Sequence, residues 1–257
     1  MAISLGNYNA LSFFSEMIQK DDEEYINKED AIKLFKKAID EGDSNAMNIY
    51  SVILFKSKDE SEKNKEEAIK YIKMAINLGN TDAMNNYAQI MLRDKRNPSN
   101  KAEAIKYFKM AIKGGNNNAL CDYATELLNG DNIDRNEEEA VKYFKMAINN
   151  GYVEAINRYA CILYLGLGIQ ANKKEAIKYF KMGIDLDDEK CMANYAYALL
   201  ETDDVEANKE EIFKYLKIAI DRGNDTAMNK YADILYYNIL IEENIEDKIK
   251  YLRISIN

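Results

Sequence analysis

The sequence predicts an all-α fold that consists of an array of antiparallel helix pairs with a 36-residue period. The segment KYFKMAI occurs unchanged at residues 106–112 and 142–148, and near-copies begin at residues 33, 70, 178, 214 and 250. Within each copy apolar residues recur three and four positions apart, which is the spacing of one helix face. Self-similarity at such a period is typical of stacked two-helix repeats.

A second motif follows the same period and opens the other helix of each pair, here called helix A. Its copies are AMNIY at 46–50, AMNNY at 83–87, ALCDY at 119–123, AINRY at 155–159, CMANY at 191–195 and AMNKY at 227–231. One pair is predicted as helix B at 101–113 and helix A at 118–129. We expect a single array over residues 1–257, with a first helix A at about 9–20, B/A repeats starting near residues 30, 67, 103, 139, 175 and 211, and a final helix B at about 246–256.

Helix B is predicted to have one packed face and one wet face. Ala104, Ile105 and Phe108 form an apolar stripe, and lysines occupy the opposite side. The methionines at 74, 110, 146 and 182 are expected to fill gaps between neighbouring repeats. Glycine at 42, 79, 115, 151 and 223 predicts a left-handed residue that ends helix B, whereas Asp187 at the same phase predicts a looser turn.

Composition excludes several classes of function. A net charge of −9 argues against a nucleic-acid binder, because phosphate recognition depends on clustered positive charge. The absence of histidine removes the usual general base and the commonest metal ligand, and no acidic loop has the pattern of a calcium site. We therefore predict no catalytic residues, no metal and no cofactor.

The cysteines and the hydropathy predict the cellular setting. Three cysteines at different phases of the period favour reduced thiols over a disulfide framework, and hence the cytoplasm. The sequence shows neither a signal peptide nor an apolar run of the length that a membrane span requires.

One repeat carries a family resemblance. An alanine opening helix A at Ala155, the small residue Ala160, the segment YLGLGI at 164–169 and the helix KEAIKYFKMG at 174–183 resemble the Sel-one-like repeat (SLR) family, whose helix pairs are related to tetratricopeptide repeats. The resemblance covers about residues 9–256 and implies a right-handed α-α superhelix, or solenoid, that acts as an adaptor between proteins. The Leu-Gly pair of the family is Tyr-Ala in five repeats of this chain, and one loop has both glycines.

The candidate site lies on helix A. An asparagine recurs two residues after the opening residue, at a phase that points into the groove of related arrays; its members are Asn48, Asn85, Asn157 and Asn229. A carboxamide there could bond the backbone of an extended peptide. Side chains that differ between repeats are predicted to provide selectivity, namely Gln89, Tyr164, Tyr197, Asp233 and Tyr236. The alternatives are that duplication copied the asparagines without a role and that the aromatic residues are core.

These observations predict a non-catalytic scaffold or adaptor that binds a partner protein or peptide along the A helices, with no nucleic acid and no membrane span. A first alternative is a hydrolase or penicillin-binding enzyme, which a few secreted relatives in the resembled family are. A second is a self-associating structural protein, because residues 250–257 (KYLRISIN) end inside a predicted helix B without a polar capping helix. We expect such self-association to be end to end, through the final helix B.

Overall fold

A computed structural model of the protein describes residues 28–57, 62–93, 99–202 and 204–237. All regular structure in these ranges is helical. The helices alternate between type B and type A along the chain, and they are α1 (Lys28–Asp40), α2 (Ser44–Lys56), α3 (Glu62–Asn77), α4 (Thr81–Arg93), α5 (Ser99–Lys113), α6 (Asn117–Asn129), α7 (Glu137–Asn149), α8 (Val153–Leu165), α9 (Lys173–Asp185), α10 (Glu189–Leu200), α11 (Lys209–Asp221) and α12 (Asp225–Tyr237).

The observed helices confirm the predicted all-α fold of paired helices with a 36-residue period. The helices predicted at 9–20 and 246–256 lie outside the described residues, and so does the C-terminal segment on which self-association was predicted. The described helices divide between two compact units, residues 1–123 and residues 124–257.

Aromatic contacts explain the Tyr-Phe pair that α5, α7 and α9 carry. Within a repeat the phenylalanine stacks on the tyrosine of the following A helix, as Phe144 does on Tyr159 at a centroid distance of 5.5 Å. The same Tyr159 meets Tyr179 of the next B helix edge to face at 5.0 Å. Three rings thus connect consecutive helices, and the Tyr-Ala pair of helix A supplies the central ring.

The methionines of helix B correct one expectation. Met74, Met110, Met146 and Met182 are 36–40% exposed, so they lie on the outer surface rather than between repeats. The buried positions of α5 are Asn100, Ala104, Phe108 and Ala111. The fully buried stripe is therefore narrower than predicted, and Tyr107 and Ile112 pack beside it while partly buried.

The turn from helix B to helix A is the same with and without glycine. The five glycines have φ between +79° and +86°, and Asp187 has φ +65°. Gly79 and Asn80 donate to carbonyl groups of α3 at 2.9 and 3.1 Å, and Asp187 and Asp188 donate to the equivalent carbonyl groups of α9 at 2.9 and 3.0 Å. The expectation of a looser turn at Asp187 was wrong.

An arginine from the next repeat holds Asp187. The guanidinium of Arg222 donates to the Asp187 carbonyl oxygen and to its Oδ1, both at 2.7 Å. These two bonds offset the strain of a non-glycine residue in the left-handed region. A compensating contact one repeat away could not be recognised from the turn sequence itself.

Asparagine side chains at the start of α4 and α6 align neighbouring repeats. Asn116 Oδ1 accepts the Ala119 N–H at 2.8 Å and so caps α6. Its amide nitrogen donates to Asp82 Oδ1 at 2.7 Å, in the first turn of α4. Asn80 repeats this pattern by capping α4 and donating to Asn45 Oδ1 at 2.8 Å. One residue type therefore caps a helix and fixes its position against the preceding repeat.

The connections from helix A to helix B share an anchored loop in two repeats. Ile133 and Ile169 are buried below their loops. The backbone N–H groups of Asn136 and Asn172 donate to carbonyl groups of the preceding A helix at 3.0 and 2.8 Å. Gly168 requires the absence of a side chain, since a Cβ atom there would lie 2.5 Å from the Leu128 carbonyl oxygen.

Candidate functional site

The recurring asparagines of the predicted site lie, where they are buried, between adjacent A helices rather than on the outer face of the array. Asn48, Asn85 and Asn157 are buried, whereas Asn229 is exposed. Each buried carboxamide bonds a side chain of the next A helix: Asn86 Nδ2 donates to Asn48 Oδ1 at 2.9 Å, Asn85 Nδ2 donates to Asp122 Oδ2 at 2.8 Å, and Asn194 Nδ2 donates to Asn157 Oδ1 at 2.8 Å. These amides therefore connect neighbouring repeats, and only part of their bonding capacity remains for a ligand.

The oxygen atom of Asn85 stands apart from this pattern. Asn85 Oδ1 is buried and accepts no hydrogen bond within the described residues. The Gln89 amide also donates to Asp122 Oδ2, so that one carboxylate oxygen holds two amide nitrogens on α4. Both carboxamides on this face thereby direct their nitrogens toward α6.

A small pocket opens between α2 and α4 on the A-helix face of residues 1–123. Its volume is about 110 Å³, and it is lined by Val52, Phe55, Lys56, Asn86, Gln89, Ile90 and Arg93. Three lining side chains are apolar, two are amides and two are cationic. Lys56 and Arg93 are exposed, whereas the other five are half-buried. Gln89 is the residue of the predicted site that lines this pocket.

A polar network occupies the A-helix face of residues 124–257. Tyr164 and Tyr197, two predicted site residues, donate their hydroxyl groups to Glu201 at 2.6 and 2.9 Å. The Lys173 ammonium group contacts the same carboxylate at 2.8 Å. Lys173, and then the two tyrosines, lower the pKa of Glu201 to about 2, so this carboxylate is ionised at neutral pH.

Burial and the Glu201 contact together raise the pKa of Tyr164 above its ordinary value. Tyr164 is 6% exposed and therefore has a structural role as well, whereas Tyr197 is half-buried. The Lys230 ammonium group lies 4.3 Å from the centroid of the Tyr197 ring, within the range of a cation–π interaction. Tyr197 is thus the more accessible aromatic residue of the two.

The two cysteines of this unit lie beside Asn157. Cys161 Sγ and Cys191 Sγ are 3.9 and 3.8 Å from Asn157 Oδ1. Burial raises the pKa of Cys161 to about 11 and also raises the pKa of Cys191. Both are therefore thiols at neutral pH, which disfavours nucleophilic chemistry at this position. None of the three cysteines forms a disulfide.

The remaining predicted residues do not join these groups. Asp233 and Asn229 lie exposed on α12, and the side chain of Tyr236 is outside the described residues. Sequence reasoning missed Lys56 and Arg93, which end α2 and α4, and Glu201, which follows α10. The three residues occupy the same position of the 36-residue period. The change from a cation at Lys56 and Arg93 to a carboxylate at Glu201 was the feature that could have identified them.

The described ranges lack two kinds of feature, a metal-binding cluster and a membrane-spanning helix. No three acidic or cysteine side chains gather there into a group that could bind a metal ion. Among the helices described, none is both long enough and apolar enough to cross a membrane.

Comparisons with solved structures agree with the helical fold. A Sel1 repeat protein from Oxalobacter formigenes superimposes with a TM-score of 0.64 at 17% identity, covering 95% of this chain and 98% of that protein. The protective antigen c5321 of uropathogenic Escherichia coli, which displays an SLR fold, gives a TM-score of 0.58 at 18% identity. That match covers 98% of this chain and 54% of the antigen. At these identities the similarity concerns the fold.

The search of curated proteins found no match. The Sel1 repeat model, in contrast, matches residues 11–43, 44–80, 81–116, 117–152, 153–188 and 190–224. These six consecutive segments include most of the chain and follow the 36-residue period of the helix pairs. The chain therefore belongs to the Sel1 repeat family.

Proposed function

We propose that the protein is a non-catalytic scaffold that binds a partner protein through the exposed and half-buried side chains of its A helices. Sel1 repeats generally form protein-interaction scaffolds, which supports the class of function. The observation that carries the choice of surface is the pocket between α2 and α4, where apolar side chains stand open beside two cations. A half-buried apolar depression with a polar rim is typical of a position that receives one anchoring side chain.

The proposal assigns different roles to the residues predicted from sequence. Gln89 and Tyr197 are half-buried and would contact the partner. Asn48, Asn85 and Asn157 would hold adjacent A helices in place and contribute mainly through position. The lack of a disulfide among the three cysteines is consistent with a reducing compartment, and so we propose the cytoplasm as the site of action.

Photocrosslinking tests the surface. Replacing Phe55 or Tyr197 with p-benzoylphenylalanine keeps an aromatic side chain at two half-buried positions of the A-helix face, one in each unit. The same residue at Met110, which is exposed on helix B, serves as the matched control. After irradiation in an extract of the native cell, we expect discrete crosslinked proteins at positions 55 or 197 and none of these at position 110.

Circular dichroism of each variant shows whether the fold is intact. The proposal fails if folded variants give the same products at all three positions or give none. A product that contains two copies of this chain alone would support the self-associating alternative instead.

A further inference from the structure

We propose that the pocket between α2 and α4 selects an acidic segment of the partner, in which an aliphatic side chain enters the pocket and carboxylates on either side pair with Lys56 and Arg93. This inference rests on the proposed function and names the chemistry that one part of the surface recognises. It concerns residues 1–123 alone.

The floor of the pocket defines the central side chain. Val52, Phe55 and Ile90 present carbon surface, and a volume of about 110 Å³ accommodates one aliphatic side chain rather than an indole or a second ring. All three apolar side chains are half-buried, so a ligand atom seated there would displace water from apolar surface.

The two cations define the charge of the ligand. Lys56 and Arg93 are the last residues of α2 and α4, and both line the pocket. Within the described residues neither forms an ion pair, although the chain as a whole has a net charge of −9. Two cations beside an apolar pocket, neither with an ion pair in the described ranges, attract a carboxylate-bearing segment.

The amide groups favour an extended backbone. Asn86 donates its amide hydrogen to Asn48 and Gln89 donates its own to Asp122. Their side-chain oxygens accept no bond from a described residue, and both residues line the pocket. These oxygens are acceptors for backbone N–H groups of a peptide that crosses from α2 to α4.

The spacing of α2 and α4 determines where the acidic residues of the bound peptide should lie in its sequence. Adjacent packed helices lie about 8–10 Å apart, and Lys56 and Arg93 occupy equivalent ends of two such helices. In an extended peptide, alternate residues share one face and are about 6.5 Å apart. Acidic residues two positions before and two positions after the aliphatic residue therefore place carboxylates within reach of both long cationic side chains.

Fluorescence anisotropy with labelled peptides tests the inference on the full chain. The probe peptide is GSESLSESG, and the matched peptides are GSQSLSQSG, without charge, and GSESASESG, without the aliphatic side chain. We expect the glutamine peptide to bind about fivefold more weakly than the probe, as two partly exposed ion pairs imply. We expect the alanine peptide to bind about tenfold more weakly because it leaves the pocket unfilled.

Protein variants identify the residues that respond. Lys56→Gln/Arg93→Gln should weaken the probe by the same factor that the glutamine peptide loses, and should leave the glutamine peptide unchanged. Lys106→Gln/Lys109→Gln removes two exposed lysines from helix B and should alter neither peptide. Thermal melts establish that all variants are folded.

Three results would overturn the inference: no probe binding at millimolar concentration, equal binding of the probe and glutamine peptides, or an equal loss in the helix B variant. Crosslinking at position 55 separates this failure from that of the proposed function. If crosslinks to a partner persist there while the probe fails, the scaffold proposal stands and the acidic ligand does not.

Discussion

One substitution in the repeated helix B peptide is explained by a single neighbouring side chain. The fifth copy reads KMGI where others read KMAI, and the opening residue of its A helix is Cys191 where other repeats have alanine. A Cβ atom on Gly183 would lie 2.7 Å from Cys191 Cβ and closer still to its sulfur atom. The glycine therefore provides the space that the larger thiol side chain occupies.

The contact between Gly183 and Cys191 predicts that the effects of substitutions at these two positions on the free energy of unfolding are not additive. Gly183→Ala alone should lower the free energy of unfolding by about 1–3 kcal/mol, because it overpacks the contact. Gly183→Ala/Cys191→Ala removes the sulfur contact but keeps the short contact between the two Cβ atoms, so it should recover part of the lost stability. Urea denaturation measures both, and a single Gly183→Ala variant more stable than wild type would contradict the contact.

At the scale of the helix, amides at the caps fix the position of each repeat against its neighbour. Asn116→Asp keeps the oxygen that caps α6 but places a carboxylate against Asp82, where the amide nitrogen now donates. We expect a loss of about 1–2 kcal/mol at neutral pH from the lost bond and the like-charge contact.

The reciprocal change serves as the control. Asp82→Asn in the Asn116→Asp background exchanges donor and acceptor and should recover most of the stability in chemical denaturation. If the double variant is as unstable as the sum of both single changes, the bond between α4 and α6 does not contribute as described.

The Glu201 carboxylate at the end of α10 connects this helix to α8 and α9. This contact predicts that the free energy of unfolding depends on pH. The folded-state pKa of Glu201 lies below its ordinary 4.5, at about 2. Glu201 therefore contributes stability above about pH 4.5, and this contribution is lost as the pH falls toward 2. Because the side chain is 38% exposed, solvent screening reduces the contribution to about 1 kcal/mol.

Glu201→Gln tests this dependence. The free energy of unfolding of wild type should exceed that of the variant by about 1 kcal/mol at pH 6, and the difference should vanish near pH 2. Glu206→Gln, which removes a 77% exposed carboxylate paired with Lys209, is the matched control and should show a smaller difference. A difference in the free energy of unfolding between wild type and Glu201→Gln that is independent of pH would contradict a stabilising role of the Glu201 network.

At the scale of the whole molecule, the 36-residue period predicts the helices but not the bonds between them. The apolar period and most of the glycine turns repeat along the chain, so local sequence is sufficient to place α1 to α12. The hydrogen bonds of Asn85 and Asn116 connect residues 37 and 34 positions apart. Which atoms meet across one repeat depends on how the helices stack, and this cannot be obtained from residue spacing.

The candidate site, like the fold, could be predicted from sequence only in part. Variation between copies predicted Gln89 and Tyr197, both of which are half-buried on A helices, and their role in binding stays a prediction. Burial of Asn157 was not predictable, because a polar residue at a regular phase is equally compatible with a ligand and with a neighbouring amide. Lys56 and Arg93 were missed because a cation at a helix C-terminus is ordinarily explained by the helix dipole.

The buried asparagines make the repeats less interchangeable than their sequences suggest. Asn48 meets an asparagine, Asn85 meets an aspartate, and Asn157 meets an asparagine flanked by two thiols. A copied, deleted or reordered repeat would bring an unmatched donor or acceptor to a junction that excludes water. The order of the repeats, and not their number alone, therefore matters for the stability of these junctions.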